Sequence, residues 1–355
     1  MNIYKSIDEI DRDENTVLTL GTFDGIHKGH KFLFEKLKQY SSKNGLRNVV
    51  ITFEPHPRTV VSNFDMKLLT TLDEKAELLS QFEIENLLVI NFSKEFAKQS
   101  SEEFITNMIC NKIGVKHIII GHDHKFGKDR SGNDNELIEL GNKNNFTVER
   151  VEAVKCNGEI ISSTKVRTAL LNGDIEKVNN FLERNYCFHG TVVKGVARGT
   201  ILGFPTANIE VEDKNKLIPK NGVYVVKAIV ESEVVYGVMN VGLRPTFADT
   251  LSIVIEAHLF EFNKDVYGKT IKVEILKRIR DEKKFNNKEE LIYQIGKDKK
   301  EAIQFVGSNF LVWYVFCSIV IARNLSFFDD VVICHRLLCK KKFIMTSICY
   351  YYFSN

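Results

Sequence analysis

At 355 residues the chain is long enough for two domains of ordinary size, each able to bury its own core. A content of 44% hydrophobic and 27% charged residues, with only five prolines, excludes a disordered, collagen-like or low-complexity protein. The net charge is +3, but residues 1–304 balance 44 basic against 44 acidic groups, which disfavours binding to nucleic-acid backbone.

In chain order, residues 1–15 come first. They contain Asp8, Glu9, Asp11, Asp13 and Glu14, with no basic start before an apolar stretch, so no secretory signal is expected. Apolar runs at 16–21, 48–53, 87–92, 115–121 and 146–151 predict strands. Amphipathic stretches at 30–42, 72–82, 101–113 and 133–142 predict helices between them, the third with Ser100 and Glu103 at capping-box spacing. This alternation implies an α/β domain with a parallel, Rossmann-like sheet covered on both faces. Two more helices follow at 163–172 and 174–182, with Gly173 placed to end the first. After about residue 186 strands dominate, at 187–194, 222–231, 234–241, 252–260 and 270–279, and a helix at 287–304 closes the region, capped by Asn286 with Glu289. Consecutive strands with short connections predict a closed antiparallel barrel. Cys110, Cys156 and Cys187 form no CxxC pattern and read as free thiols of a reducing, cytoplasmic compartment.

The segment Gly21-Thr22-Phe23-Asp24-Gly25-Ile26-His27-Lys28-Gly29-His30 joins the first strand to the first helix. Such a junction aims free backbone N–H groups and the positive end of a helix dipole at one point, and its glycines admit a phosphate closely. His27 and His30 can both donate to phosphate oxygens as charge builds up during transfer. A zinc pair would need further ligands, and neither HExxH nor a cysteine pair accompanies them. Thr52-Phe53-Glu54-Pro55-His56-Pro57 fixes the end of the second strand, where open parallel sheets bind ligands; a rigid loop without a ligand is the plainer alternative. The stretch from Gly121 through Asp123, Phe126 and Gly127 has five residues between glycines and Asp129 where a P-loop needs Ser or Thr, so a P-loop is rejected in favour of polar contact with a nucleotide or flavin. Ile161-Ser162-Ser163-Thr164-Lys165-Val166-Arg167 starts a helix and offers either a second phosphate cradle or only an N-cap.

GTFDGIHKGH, TFEPHP, GHDHKFGKDRSG and ISSTKVR, in this order and spacing, resemble the FMN adenylyltransferase module of bacterial bifunctional riboflavin kinase/FAD synthetases over about the first 185 residues. The resemblance implies a nucleotidyltransferase domain over 1–185 that moves AMP from ATP to the phosphate of FMN and releases pyrophosphate. It gives His27 and His30 catalytic roles. It assigns Gly21, Phe23, Asp24, Gly29, Ser163, Thr164 and Arg167 to ATP and its phosphates, and Asp123 and Phe126 to flavin. His124 stands where the family commonly has an aromatic residue.

Farther along, Gly195, Gly199 and Gly203 recur every four residues, but Lys194, Arg198, Thr200 and Pro205 exclude a membrane-packing helix; a glycine-rich flap over phosphates fits better. Thr206 and Asn208 share one side of an extended chain and offer neutral oxygens suited to Mg²⁺. Glu256, sharing a strand face with His258, is either a general base for a hydroxyl attacking ATP or an exposed strand carboxylate. The segments LGFPTAN, GVYVV, GVMNVGLRPTF, IEAHLFEF and DVYG resemble the riboflavin kinase module of the same family over 186–304. That resemblance implies Mg-ATP at Thr206 and Asn208, Glu256 as base for the ribityl 5′-hydroxyl, and Arg278 on the flavin side. Thr200 stands where many relatives carry Arg.

The expected enzyme makes FMN and then FAD from riboflavin and ATP, with Mg²⁺ as cofactor. A single-activity enzyme and a flavin-binding regulator are the alternatives, and separate assays of the two steps discriminate among them. No feature sets the oligomeric state. Residues 305–355 differ in composition and hold four of the seven cysteines. Their apolar run, 310–322, is 13 residues, against the ~20 that span a bilayer. An anchor, an added helix and a frame-shifted or read-through end compete, the last being favoured, and membrane contact is not expected.

Overall fold

The computed structural model describes residues 1–323 except 63–65, 123–126, 128–131, 133, 196–202 and 246–250, with backbone alone for 245, 251 and 309–323. Asp123, Phe126, Gly199, His124 and Thr200 lie outside the described residues, as does the chain from 324 onward.

The apolar runs of the first half form strands β1 (Asn2–Tyr4), β2 (Thr16–Leu20), β3 (Arg47–Glu54), β4 (Asn86–Asn91), β5 (His117–Ile120) and β6 (Thr147–Arg150). They pair in parallel in the order β1-β4-β3-β2-β5-β6. All five residues of β2 are buried, as expected of a strand covered on both faces. β1 is an addition to the predicted strands; three largely exposed residues carry no readable alternation. The covering helices are α1 (Lys28–Asn44), α2 (Pro57–Ser62), α3 (Leu72–Ser80), α4 (Ser101–Glu103) and α5 (Asp134–Asn144). The predicted Ser100–Glu103 box caps α4, which runs on as a π-helical stretch, Phe104–Ile113, where an α-helix was expected. Strand order reverses at β2, with β3 and β4 on one side and β5 on the other. Its carboxyl end is therefore the switch point at which such sheets bind ligands.

A small hairpin, β7 (Lys155–Cys156) and β8 (Glu159–Ile160), precedes α6 (Ser163–Asn172) and α7 (Ile175–Leu182). Ser162 caps α6 and left-handed Gly173 ends it, as predicted. The barrel comprises β9 (Tyr186–Val193), β10 (Ala207–Glu210), β11 (Gly222–Val230), β12 (Glu233–Pro245), β13 (Leu251–Leu259) and β14 (Thr270–Arg280). It closes in the order β10-β13-β12-β11-β14-β9, with every pairing antiparallel. β10, only four residues long, was read as extended chain rather than as a sixth strand.

The two halves are interlocked. Val166, Leu170, Val178 and Phe181 from α6 and α7 share one buried cluster with Tyr186, Phe188, Tyr224 and Met239 of the barrel. Across the same junction, buried Lys216 pairs with buried Glu74 of α3 and donates to the Leu69 carbonyl at 2.7 Å. His189 Nδ1 lies 3.5 Å from the other Glu74 oxygen. Burial alone would raise the Glu74 pKa; the His189 hydrogen bond and the Lys216 charge overcome it and hold it at about 2, below its ordinary 4.5. A depressed carboxylate contributes stability that is present above 4.5 and lost as pH falls towards 2. Unfolding followed across that window is expected to lose about 3 kcal/mol through this group, and His189→Ala and Lys216→Met each to reduce that dependence.

The last helix, α8, was expected to stop at 304 and instead spans Lys288–Arg323. Asn287, one residue beyond the predicted cap, accepts from Glu290 N at 2.8 Å. Val306 is buried with Val225 and Ala302 on the outside of the barrel, and Phe305 packs against them. The boundary expected at 304/305 therefore falls inside the helix. Truncation after Ser308 keeps these contacts and is expected to leave the denaturation midpoint unchanged. Truncation after Gln304 costs about 2 kcal/mol of apolar burial, readable as a lower denaturation midpoint.

Candidate active sites

The turn after β2 is tightly folded. Phe23 and Ile26 have φ of 46° and 39°, in the left-handed region that non-glycine residues rarely adopt. Gly25 has φ 85°, and a Cβ there would meet Leu69 Cδ1 at 2.8 Å. A Cβ on Gly21 would strike the Phe23 ring at 2.9 Å, and Gly29 backs onto the His27 ring. His27 is the N-cap residue of α1, and its side chain does not cap the helix. The rings of His27 and His30 stack with centroids 3.7 Å apart, and Phe23 meets His30 edge-on at 5.2 Å. Two imidazoles thus stand at the positive end of a 17-residue helix. His30 Nδ1 is buried without a hydrogen-bond partner among the described residues. Burial, then the His27 ring and the Lys75 charge, hold the His30 pKa well below the usual imidazole value.

Asp24 anchors the turn. One of its carboxylate oxygens accepts from the amides of Leu69 (2.8 Å) and Thr70 (3.1 Å), and the other from Arg167 Nη2 (2.5 Å). Burial pushes the Asp24 pKa up; Arg167, the two amides and Lys75 oppose it. Ser163 Oγ donates to the Asp24 carbonyl at 2.8 Å. The structure therefore brings Ser163 and Arg167 to the turn over 139 and 143 residues of sequence, both in contact with Asp24, and Arg167 Nε also donates to the Lys67 carbonyl at 3.3 Å. Thr164 is exposed. His56, at the end of β3, is held at about 3 by burial and then by Lys75, Arg167 and Arg58.

Sequence reasoning missed two contacts. Arg184 donates to the Gly25 carbonyl at 2.8 Å, and Lys75 donates to the Thr22 carbonyl at 2.8 Å. Both are single basic residues outside any motif, and only packing reveals them.

On the barrel, Asn208 of β10 pairs with Glu256 of β13, which pairs in turn with Asn240 of β12. Residues 255 and 257 point into the core, so the Asn208–Glu256–Asn240 row lies on the outer face. Glu256 lies 3.6 Å from Arg244 Nη2. His258, on the same face, has its Nδ1 2.8 Å from the Pro205 carbonyl oxygen and so ties β13 to the loop before Thr206. A Cβ on Gly195 would lie 1.9 Å from Asn208 Nδ2, so the Asn208 amide occupies the space a side chain at 195 would fill. Thr206, Asn208 and Glu256 present oxygen donors without sulfur or imidazole, which suits a hard cation such as Mg²⁺. No group of three His, Cys, Asp or Glu side chains that could hold a metal ion is found among the described residues. Arg278 is engaged elsewhere, with Asp281 (2.7 Å), the Asn221 carbonyl (2.8 Å) and Tyr224.

Comparisons with known proteins match both regions. The FAD synthetase family model matches residues 9–165, and the riboflavin kinase model matches 182–306. The bifunctional riboflavin kinase/FMN adenylyltransferase of Bacillus subtilis (strain 168) is 40% identical over 298 residues, covering 82% of this chain and 93% of that protein. The protein of the same name from Listeria monocytogenes is 36% identical over 295 residues, with the same two coverages. A solved structure described as a macrolide-efflux protein from Streptococcus pneumoniae superposes with a TM-score of 0.77 at 32% identity, covering 84% of this chain and 96% of that one. Efflux is that protein's description; among the described residues here no helix is long and apolar enough to cross a membrane. With both domains matched in order and such relatives covered almost end to end, the chain belongs to the bifunctional riboflavin kinase/FMN adenylyltransferase family.

Proposed function

We propose that the two reactions of this ATP-dependent transferase are divided between the turn at the end of β2 and the outer face of the barrel. The stacked His27–His30 pair at the α1 N-terminus carries the first assignment. A phosphate oxygen of FMN attacks the α-phosphorus of ATP, the bond to the β-phosphate oxygen breaks, and pyrophosphate leaves. His27 and His30 donate to the oxygens that gain charge, and the positive end of α1 adds to them. Asp24 fixes the turn and orients Arg167, whose guanidinium completes the cationic side of the cleft.

On the barrel, Glu256 takes the proton of the ribityl 5′-hydroxyl as its oxygen attacks the γ-phosphorus, and ADP leaves. Thr206 and Asn208 would hold Mg²⁺ with the nucleotide, and Gly195 covers the phosphates from the flap. When bound, the cation neutralises phosphate charge in the transition state. The free thiols of Cys110, Cys156 and Cys187, the cysteines among the described side chains, support a cytoplasmic enzyme. The charge balance of 1–304 supports small-molecule substrates rather than nucleic acid.

The test is a time course with riboflavin, ATP and Mg²⁺, with the flavins separated chromatographically. FMN is expected to rise and then fall as FAD appears, and EDTA to leave riboflavin unchanged. FMN accumulating in EDTA would overturn the cation assignment at Thr206 and Asn208.

A further inference from the structure

The adenylyl-transfer turn rests on a buried cation that lies outside every motif. Lys75 is in the middle of α3 and is 5% exposed. Its Nζ donates to the Thr22 carbonyl at 2.8 Å and to Thr52 Oγ1 at 2.9 Å, and Thr52 Oγ1 donates in turn to the Thr22 carbonyl at 3.2 Å. Thr22 belongs to the turn after β2, and Thr52 lies near the carboxyl end of β3. One ammonium group therefore pins together the two strand ends that flank the anion site.

Those two neutral oxygens need only a hydrogen-bond donor. A full charge buried against neutral partners is costly, and a neutral donor would make the same clamp more cheaply. The compensating charges act at longer range: Asp24, which is already paired with Arg167, and Glu54. The ammonium also lowers the pKa of both His30 and His56, so its field reaches the two sides of the cleft, the α1 N-terminus and the β3 end. A low-dielectric wall carrying a fixed positive charge strengthens binding of charge that develops in front of it.

We propose that Lys75 is a positioning residue for adenylyl transfer, which pins Thr22 to Thr52 and supplies from beneath the turn a fixed positive charge for the phosphates of ATP and FMN. The proposal rests on the assignment of that reaction to the His27–His30 turn.

Lys75→Gln keeps a donor for the clamp and removes the charge; Lys75→Arg keeps the charge. Riboflavin phosphorylation by the same chain reports whether each variant is folded. In Lys75→Gln, kcat for FMN adenylylation is expected to fall about 10²-fold, while the phosphorylation rate stays at the wild-type level. Lys75→Arg should recover at least about tenfold of that loss. The acid limb of the adenylylation pH profile should move to higher pH in Lys75→Gln, because a charge that disfavours protonation of His30 and His56 is gone. Transfer by Lys75→Gln within about twofold of wild type would overturn the charge role. So would a loss that Lys75→Arg does not relieve and that leaves the acid limb in place, since that is the behaviour of a purely structural lysine. If Lys75→Gln loses phosphorylation too, Lys75→Arg decides. Transfer near the wild-type rate supports the charge, and loss of transfer in a chain that still phosphorylates overturns it. His30→Ala, assayed alongside, separates the two readings. If it abolishes transfer while Lys75→Gln retains it, the lysine proposal alone falls; if both retain it, the site assignment falls as well.

Discussion

Alanine at position 30 is expected to lower FMN adenylylation about 10²–10³-fold, the usual cost of removing one preorganised donor from a transition state. Riboflavin phosphorylation should be unchanged, because His30 belongs to the turn after β2 and the Asn208–Glu256 row to the barrel. The loss should appear in kcat more than in the KM for ATP, since a donor aimed at developing charge acts mainly in the transition state. Edge contact with Phe23 and stacking on His27 hold the ring, so a neighbouring side chain cannot easily replace it. His30 is neutral well below its ordinary value of 6.5. Wild-type transfer should therefore show no acid limb at 6.5 from this group. A bound polyphosphate favours the protonated ring, so any limb seen with ATP bound lies higher than one seen without it. An alanine variant with wild-type adenylylation would remove the histidine pair from the mechanism.

Glutamine at position 256 is expected to have the complementary effect, a loss of riboflavin phosphorylation of about 10²–10⁴-fold, the range for removal of a general base. The substitution keeps size and register: residue 256 still pairs with Asn208 and Asn240 in the closed barrel, so stability should change little. What it removes is the acceptor for the hydroxyl proton. FMN supplied directly should still become FAD at the normal rate. Arg244 Nη2 lies 3.6 Å from the Glu256 carboxylate and is left in place by the substitution. Phosphorylation at the normal rate by the glutamine variant would show that the attacking hydroxyl needs no side-chain base there.

The strand–turn–helix junction at 21–30 was legible because its signals are local. A buried strand, a glycine turn and a helix start follow one another within a few residues, and the structure has them in that order. The barrel was legible from consecutive strands with short connections, and the burial of β9 alternates residue by residue as a strand with one buried face requires. The role of Asp24 was not. Its partners at Leu69, Thr70 and Arg167 come together only when separate segments pack, so its part in holding the turn could not be read from the motif. Arg278 shows the same limit: the contacts of its guanidinium with Asp281 and the Asn221 carbonyl depend on packing that the sequence does not display. Lys75 occupies an unremarked position in an amphipathic helix, and a one-dimensional pattern cannot tell a solvated lysine from one driven under a neighbouring turn. The length of α8 was missed for a different reason. Composition changes abruptly at 305, yet the backbone continues helically through it, because Phe305 and Val306 still find apolar partners on the barrel.

Mixing the two variants tests the division of labour most directly. Given riboflavin, ATP and Mg²⁺, His30→Ala should stop at FMN and Glu256→Gln should leave riboflavin unconverted. Together they should restore FAD, because FMN released by the barrel of one chain is rebound at the intact turn of the other. Failure of the mixture to make FAD while each variant performs its remaining step would contradict two independent sites linked by free FMN, as would loss of both steps in either variant.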